Sequence, residues 1–448
     1  MDGSLTLITL AIPPYGLKTI RSEDSVQMYS NVNASFCYLD WSLQQQNPAQ
    51  IPMFEDLLVA TNEQIEQALQ DSPSSSFSGP STPPERTLCQ PDVAYTVDFW
   101  EIVQFAKAYD ASSSSAPITS IPPTGAVFHE TRCGSTLISN LLTSFAPMTT
   151  RVYVESSPPQ QVIDACSGLP IQGNTPSEME RRKQNPYLNP VCDEGAQDAL
   201  LQDVFYMMGR TPNNAKSKSQ TTTSTTHIFY KFQNIFDMDV FTRAMPDIPW
   251  IYSYRDSVEV LMSHFKKYRS KDDAVIIDPW LVGRPMCLRD FNDPYQHPIL
   301  WELAAIQNAT PNNVTEEEYC ALFLAGLGTQ PMRVHENNTQ RLAPHWFVNY
   351  RELPSRIWRD ILPAMIGRSL TNEEVQRMKD IAHSYSKTGQ KQVQEPMTET
   401  EWKDDSDRKR QTAPEVIRKA AAKFLDQQYV KMEEIRKSMD PTDGRGKV

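Results

Sequence analysis

The sequence predicts an α/β fold in which a central parallel sheet is flanked by helices. Short apolar segments, typical of buried strands, alternate with segments whose apolar residues recur at helical spacing. Such alternation is typical of strand–helix–strand units, which place their strands parallel in one sheet. Proline is also more than twice as frequent as glycine, with 34 residues against 16, and we therefore expect long insertions between the elements.

Each element is assigned from its apolar pattern and from the residues that bound it. The predicted strands cover residues 125–129, 151–155, 227–232, 250–254 and 346–350. The predicted helices cover residues 61–70, 135–145, 236–244, 257–268, 298–308, 315–327, 353–365, 372–383 and 414–436.

Stretches of low complexity suggest how the chain is divided. Residues 71–91 are rich in Ser and Pro and are typical of a linker. They predict an N-terminal region at residues 1–92, whose role the sequence does not reveal, and an α/β domain with a helical C-terminal part at residues 93–448. The Thr-rich residues 211–226 predict a surface loop within that domain.

Composition limits the possible functions of this chain of 448 residues. A net charge of −12 and a pI near 5.2 argue against nucleic-acid binding, which needs clustered excess Lys and Arg. The apolar run at residues 5–12 is too short to span a bilayer and makes a poor signal peptide, so we expect a soluble, cytoplasmic protein. The sequence contains four N-glycosylation sequons, at Asn33, Asn308, Asn313 and Asn337. Because these would matter only in a secretory compartment, a Golgi or secretory lumen stays open.

The cysteines are scattered along the chain. None of the seven belongs to a C-x-x-C pair, and no histidine spacing suits zinc. We therefore expect reduced thiols and no structural zinc.

Residues 129–136, with the sequence His-Glu-Thr-Arg-Cys-Gly-Ser-Thr, form a candidate phosphate-binding loop. A loop between a strand and a helix N-terminus exposes unpaired N–H groups and the positive end of the helix dipole. Gly134 would let the main chain approach an oxyanion, while Arg132 would add a positive charge. Ser135 and Thr136 would add hydroxyl donors. The same residues would also suit an ordinary helix cap.

The loop differs from that of nucleoside triphosphatases. Those loops carry a Gly-Lys pair, whereas Ser135 follows Gly134 here, and His129 stands where the first glycine is expected. ATP hydrolysis with magnesium is therefore disfavoured.

The loop resembles that of the sulfotransferase superfamily, in particular its bacterial and algal sulfotransferase-like branches. A basic residue, a glycine, a hydroxyl residue and a threonine recur there, matched here by Arg132, Gly134, Ser135 and Thr136. The resemblance implies a three-layer fold like that of nucleoside-triphosphate hydrolases. It also implies that this loop, including Cys133, binds the donor 3′-phosphoadenosine-5′-phosphosulfate (PAPS), and that Arg132 is a catalytic residue as well.

A second motif resembles the site with which this family binds the 3′-phosphate of the donor. An Arg ends a later strand and a Ser follows eight positions on, as Arg255 and Ser263 do here. A strand end that meets a helix start is also where open α/β sheets bind ligands. By the same resemblance, Lys231 at the end of another predicted strand would approach the transferred sulfonate and stabilise the charge of the leaving oxygen. Taken singly, Arg255, Ser263 and Lys231 would each also suit an ordinary surface position without a ligand.

The residue that removes the acceptor proton is less clearly indicated. Many family members use a His two positions after the strand lysine, where this chain has Gln233. Another branch uses a Glu at the end of the strand after the loop helix, and Glu155 occupies that position. We expect Glu155 to be the general base, with His129 and Glu130 as alternatives.

Together these motifs predict a sulfotransferase that transfers the sulfonate of PAPS to a hydroxyl or amine without a metal. An inactive PAPS- or nucleotide-binding protein is the alternative, and an ATP-dependent phosphotransferase is less favoured. The acceptor could be a small molecule, a carbohydrate or a peptide, selected by insertions such as residues 170–194 and 271–296. The usual C-terminal Arg-Lys-Gly segment is absent, and residues 384–389 are a possible substitute. The acidic residues 399–407 predict a solvated surface.

Overall fold

The computed structural model describes residues 5–13, 17, 19–21, 26–71, 89, 95–112, 118–166, 193–212, 225–233, 235–265, 285–288, 291, 297–337, 343–383 and 406–439. The strands are β1 (Leu5–Ala11), β2 (Ile20–Arg21), β3 (Val26–Gln27), β4 (Asn33–Tyr38), β5 (Tyr95–Asp98), β6 (Ile118–Ser120), β7 (Gly125–His129), β8 (Thr150–Val154), β9 (Arg210–Pro212), β10 (His227–Lys231), β11 (Trp250–Tyr254) and β12 (His345–Asn349). The helices are α1 (Trp41–Gln46), α2 (Phe54–Asp71), α3 (Phe99–Ser112), α4 (Ser135–Phe145), α5 (Ser157–Asp164), α6 (Glu194–Met208), α7 (Met238–Ala244), α8 (Ser257–His264), α9 (Pro298–Ile306), α10 (Glu316–Asn337), α11 (Leu362–Ile366), α12 (Asn372–His383), α13 (Ser406–Thr412), α14 (Glu415–Phe424) and α15 (Asp426–Ser438).

Five parallel strands form the central sheet, in the spatial order β12-β11-β7-β10-β8. The predicted α/β fold, with a parallel sheet flanked by helices, is confirmed. The strand β7 lies in the middle, between β10 and β11, so the loop that follows it is adjacent to the carboxyl ends of both neighbours. In the register of the sheet, Lys231 pairs with Val154 and His129 pairs with Ser253.

Successive side chains of each strand point to opposite faces of the sheet. Both faces are buried because helices pack on each of them. On one face, Val127 and Phe229 pack in the same cluster as residues of α4 and α12. On the other face, Phe128 and Tyr230 pack in a larger cluster with residues of α6 and α7. The ring of Tyr230 stacks on that of Tyr153, with centroids 5.0 Å apart. Burial on both faces explains why these strands are apolar throughout rather than alternating.

A smaller antiparallel sheet, in the order β1-β4-β5, packs beside the central one. The side-chain Oε1 of Gln161 in α5 accepts the N–H of Leu10 at 2.8 Å. The ring of Trp41 meets that of Tyr153 in β8 edge-on, with centroids 4.7 Å apart. The first contact joins β1 to the helix that follows β8, and the second joins α1 to β8 itself. The domain division at residue 92 stays a prediction.

Several helices differ in extent from the sequence prediction. Helix α10 continues to Asn337 although it contains Pro331, since its buried face extends to Val334. Residues 414–436 form two helices, because α14 packs in a helical cluster whereas Met432 of α15 packs toward the sheet. Residues 353–365 contain a π-helix at Ile357–Ile361 followed by α11.

The expectation of reduced thiols is wrong for most of the cysteines in the described residues. Cys37 is disulfide-bonded to Cys89, and Cys287 to Cys320. Cys166 is disulfide-bonded as well. The sequence could not show this, because the paired residues are 52 and 33 positions apart and only folding brings them together.

Some sequence predictions fall wholly or largely on residues outside the described ranges. They are the low-complexity residues 71–91 and 211–226, the insertions 170–194 and 271–296, residues 384–389 and most of 399–407. Across the ranges that are described, no helix combines the length and the apolar character needed to cross a membrane.

Candidate functional site

The loop between β7 and α4 has an unusual backbone. Thr131 and Arg132 adopt positive φ angles of 69° and 51°, which cost energy for residues other than glycine. Surrounding contacts hold this conformation. The N–H of Thr131 donates to Nδ1 of His129 at 3.0 Å, and its hydroxyl lies 2.8 Å from Nε2 of His264. Thr131 is thus held by a histidine on each side.

Gly134 ends the loop and precedes the first residue of α4. Its φ is 88°, and a Cβ placed there would lie 2.8 Å from Cδ1 of Leu353 and 2.9 Å from Cδ2 of Tyr350. Both conformation and space therefore require glycine. Because glycine has no side chain, it makes no side-chain cap for the first turn of α4. The first turn of α4 therefore begins without a side-chain cap from Gly134, and anion binding at this helix end stays a prediction.

The other predicted loop residues contribute unequally. Cys133 is fully buried, and burial raises the pKa of its thiol to about 12. It is therefore not a nucleophile at neutral pH, and its carbonyl accepts the hydroxyl of Ser253 at 3.0 Å. Ser135 is buried, Thr136 is half-buried, and Arg132 is exposed. The loop thus presents backbone groups and one cation rather than a reactive sulfur.

Glu155 and Lys231 form an ion pair beside this loop. They follow and end adjacent strands, and their side chains are 13% and 2% exposed. Glu155 Oε1 accepts from Lys231 Nζ and lies 3.8 Å from Nε2 of His129. Glu155 also has a positive φ of 57°, and its N–H donates to the carbonyl of Lys231 at 2.8 Å. The structure therefore brings two of the three predicted catalytic residues, Glu155 and Lys231, together, next to one of the alternatives.

At neutral pH, Glu155 is ionised and His129 is neutral. Burial by itself would raise the pKa of Glu155. The charge of Lys231 and the contact with His129 together outweigh this effect and lower the pKa to about 2. Burial, with the charge of Lys231, lowers the pKa of His129 to about 4. Since Nδ1 of neutral His129 accepts the N–H of Thr131, its proton is assigned to Nε2. His129 is thus a hydrogen-bond donor toward the site and not a free base.

Glu130 is buried behind the loop. Its carboxyl accepts the backbone N–H of Arg255. Burial raises its pKa to about 8, against the opposing effect of that hydrogen bond. Glu130 is therefore largely protonated at neutral pH and ties the loop to the end of β11, which makes it a poor candidate for the base.

Arg255 lies near the loop, but its charge is already paired. Its guanidinium is 3.8 Å above the ring of Tyr350, and Nε donates to Glu259 at 2.9 Å. Glu259 is fully buried and also pairs with Arg351 and Arg410. Arg255 is only 2% exposed, so it does not present an open cation to a phosphate.

Ser263 is also covered by another part of the chain. Its hydroxyl donates to the carbonyl of Glu259 at 2.8 Å and accepts from Lys409 Nζ at 2.7 Å. Lys409 belongs to α13, whose Ser406 also contacts the guanidinium of Arg255 at 3.2 Å. Sequence reasoning missed Lys409 and placed the start of α13 in a solvated acidic stretch. The basic run at positions 408–410 was the available signal.

A cavity of about 590 Å³ opens beside Glu155. Residues 10–12, at the end of β1, form one wall of the cavity. The others that line it are Glu155, Ser157, Gln160, Gln161, Asp164, Ala165 and Gln233. Glu155 therefore contacts Lys231 and also lines this cavity.

Comparisons with known proteins show a structural likeness but no sequence relative. No protein-family profile and no curated protein matches the chain. Among solved structures, the chain is similar to sulfotransferase STF9 from Mycobacterium avium, with 12% sequence identity and a TM-score of 0.31. The match covers 63% of this chain and 71% of that one. A likeness at this level carries no weight for activity.

Proposed function

We propose that the chain is a sulfotransferase that transfers the sulfonate group of PAPS to a hydroxyl or amine. The arrangement of Glu155, Lys231 and the 129–136 loop is the observation that carries this proposal. A buried carboxylate and a buried lysine form an ion pair at the carboxyl edge of a parallel sheet, next to a loop that ends in an uncapped helix N-terminus. The same carboxylate lines a cavity large enough for an acceptor.

The residues at the 5′ end suit a phosphosulfate. The first turn of α4 offers N–H groups, Arg132 offers a charge, and Nε2 of His129 is buried with no hydrogen-bond partner in the part of the chain described. A sulfonate oxygen would satisfy that nitrogen. PAPS would supply an activated sulfonate whose bond to the 5′-phosphate breaks as the acceptor attacks.

In this mechanism the protein's own groups move one proton and balance one charge. Glu155 takes the proton of the attacking hydroxyl or amine. Lys231 stabilises the negative charge that remains on the 5′-phosphate oxygen when its bond to sulfur breaks. For this, the ammonium of Lys231 must turn from Glu155 toward that oxygen. The pKa of Glu155 then rises from its low value, because the cation that lowers it has moved away.

The 3′-phosphate end fits the predicted residues less well. Arg255 is buried and paired with Glu259, so we assign the nearest role to Ser263 with Lys409, which already meet at 2.7 Å. Arg255 then supports this site through Glu259 and Ser406. The Arg255–Glu259 pair departs from the pattern expected of an active enzyme. An inactive nucleotide-binding protein is therefore the alternative, and binding of the bisphosphate without any transfer would favour it.

We also propose an oxidising compartment rather than the cytosol. Disulfides persist mainly outside the reducing cytosol, and the four sequon asparagines, Asn33, Asn308, Asn313 and Asn337, are all exposed. Non-reducing and reducing mass spectrometry of the protein from its natural source would test this, since free thiols at Cys37 and Cys89 would contradict it.

Calorimetric titration with 3′-phosphoadenosine-5′-phosphate, beside ATP with magnesium, tests the donor site. We expect selective binding of the bisphosphate, weakened at least tenfold in Arg132→Ala and in Lys409→Ala because each loses a charge-assisted contact. Arg359→Ala is the matched control, since Arg359 is exposed and pairs only weakly with Asp360. No binding, or a preference for ATP, would overturn the proposal.

A further inference from the structure

The cavity beside Glu155 has an apolar part and a polar part. Residues 10–12 at the end of β1 form the apolar part together with Ala165. The other side chains that line it are polar and come from α5 and from the ends of β8 and β10. Among the described residues, no aromatic and no basic side chain lines the cavity. Its volume of about 590 Å³ is typical of a site for a small molecule.

Hydrogen bonds from Gln161 hold the two sides of this cavity together. Its Oε1 accepts the N–H of Leu10 at 2.8 Å, and its Nε2 donates to the hydroxyl of Thr9 at 3.1 Å. Both bonds join α5 to β1 across more than 150 positions of the chain. The cavity is therefore formed before a ligand arrives, as is usual for small-molecule sites.

The polar part offers more hydrogen-bond acceptors than donors. Nε2 of Gln160 donates to Asp164 at 2.8 Å, and Nε2 of Gln233 donates to the sulfur of Met286 at 3.3 Å. Within the described part of the chain, Oε1 of each glutamine has no partner of its own. The carboxylates of Glu155 and Asp164 are also acceptors. A ligand of this cavity therefore has to supply donors.

This lining argues against two classes of acceptor. A phenol or another flat ring packs best against aromatic side chains, and the described lining contains none. A phosphate, sulfate or carboxylate on the acceptor would need a cation beside it, whereas the charged side chains found here are carboxylates. A sugar without acidic groups suits both parts of the cavity, because its hydroxyls donate hydrogen bonds and its C–H face is apolar.

We propose that this cavity binds a mono- or disaccharide, neutral or carrying an amine, and that this sugar accepts the sulfonate. Its role as the acceptor rests on the proposed function. Glu155 takes the proton of one sugar hydroxyl or amine as the new bond to sulfur forms. The bond from sulfur to the 5′-phosphate oxygen breaks, and its electron pair stays on that oxygen. The products are a sulfated sugar and 3′-phosphoadenosine-5′-phosphate.

Ligand-observed NMR titration of the full chain, with and without 3′-phosphoadenosine-5′-phosphate, tests the cavity by binding and needs no turnover. The probes are the methyl glycosides of glucose, galactose and mannose, with cellobiose and lactose. We expect at least one of them to bind. The uronic acid that corresponds to the best of these sugars should bind about tenfold more weakly, because the carboxylates repel its charge. The phenol 4-methylphenol should bind more weakly than that sugar as well.

Two variants place the sugar in the cavity. Gln160→Leu and Gln233→Leu should each weaken sugar binding about three- to tenfold, the usual contribution of a hydrogen bond. Gln376→Leu is the matched control, since Gln376 also donates to an aspartate four positions on, at 2.7 Å, but lies on α12 and does not line the cavity. All three variants should bind 3′-phosphoadenosine-5′-phosphate as the wild type does.

The outcomes separate this inference from the proposed function. If the bisphosphate binds but none of the sugars does, or if the uronic acid or the phenol binds more tightly, the inference is overturned and the proposed function stands. Sugar affinities that are unchanged in both glutamine variants would also overturn it. If a sugar binds and Gln233→Leu weakens it, but the bisphosphate does not bind, the cavity is a sugar site and the proposed function is overturned.

Discussion

The hydroxyl of Thr131 lies 2.8 Å from Nε2 of His264, and this contact joins the candidate phosphate loop to the end of helix α8. Thr131 carries the positive φ angle that turns the chain toward Arg132. A residue in that conformation stays there only when its surroundings hold it. His264 therefore influences the loop although it does not belong to it.

Replacement of His264 by Ala should weaken binding of 3′-phosphoadenosine-5′-phosphate. A buried hydrogen bond contributes about 0.5–1.5 kcal/mol, which corresponds to a loss of about 3- to 10-fold in affinity. Calorimetry measures it. His264→Gln, which can still donate toward Thr131, should recover part of the affinity. Equal affinities of wild type and the Ala variant would show that Thr131 is held without the histidine.

Replacement of Glu155 by Gln should reduce sulfonate transfer by about 10²- to 10⁴-fold, the usual contribution of a general base. Binding of the bisphosphate should persist, because Glu155 faces the cavity and not the N-terminus of α4. Transfer from PAPS to a panel of acceptors is the measurement. Glu415→Gln is the control, since that carboxylate is exposed on α14. Full activity in Glu155→Gln would assign the base elsewhere.

The stability of the protein should depend on the protonation of Glu130 between about pH 4.5 and about pH 8. Its pKa is raised from 4.5 to about 8 in the folded state, so the folded protein keeps a proton that the unfolded chain releases above pH 4.5. The contribution to the free energy of unfolding is complete below pH 4.5. It falls by about 1.4 kcal/mol per pH unit until the pH reaches about 8.

Glu130→Gln imitates the protonated carboxyl and does not titrate. We therefore expect the variant to lose less stability than wild type between pH 5 and pH 8 in chemical denaturation. Its amide oxygen can still accept the N–H of Arg255. Parallel pH dependences of the two proteins would contradict the assigned protonation.

Gly134→Ala should destabilise the protein more than Gly367→Ala. Both glycines have a positive φ, 88° and 69°, so both variants lose about 1–2 kcal/mol from backbone conformation. Only the Cβ at position 134 would also meet Leu353 and Tyr350, whereas nothing lies within 4 Å at position 367. The difference in unfolding free energy isolates the steric cost. Equal losses would show that Leu353 and Tyr350 move aside freely.

The sequence predicted the sheet well because its strands are buried on both faces. Strand β11 and helices α4 and α12 were predicted with the bounds that the structure shows. The loop after β7 was predicted from another local pattern, a glycine and hydroxyl residues between a buried strand and an amphipathic helix. Local patterns can be recognised without the fold.

Partners that are distant in sequence could not be predicted. Glu259, which pairs with Arg255, also pairs with Arg351 across 92 positions, and Lys409 reaches Ser263 across 146 positions. The disulfides are of the same kind. The spacing of Arg255 and Ser263 says nothing about the helix that covers them, and their role in binding the donor stays a prediction.

The cavity beside Glu155 takes one wall from β1, a strand of the smaller sheet, and another from α5, the helix that follows β8 of the central sheet. Under the proposed function, substrate choice and chemistry would therefore be encoded in separate stretches of the chain. Leu10 is part of the core, whereas Ala11 is exposed and Ile12 is half-buried, and both lie outside the parallel strands that hold Lys231 and the loop. Exchanging this short edge strand between related proteins would be a direct route to new acceptor preferences on an unchanged donor site.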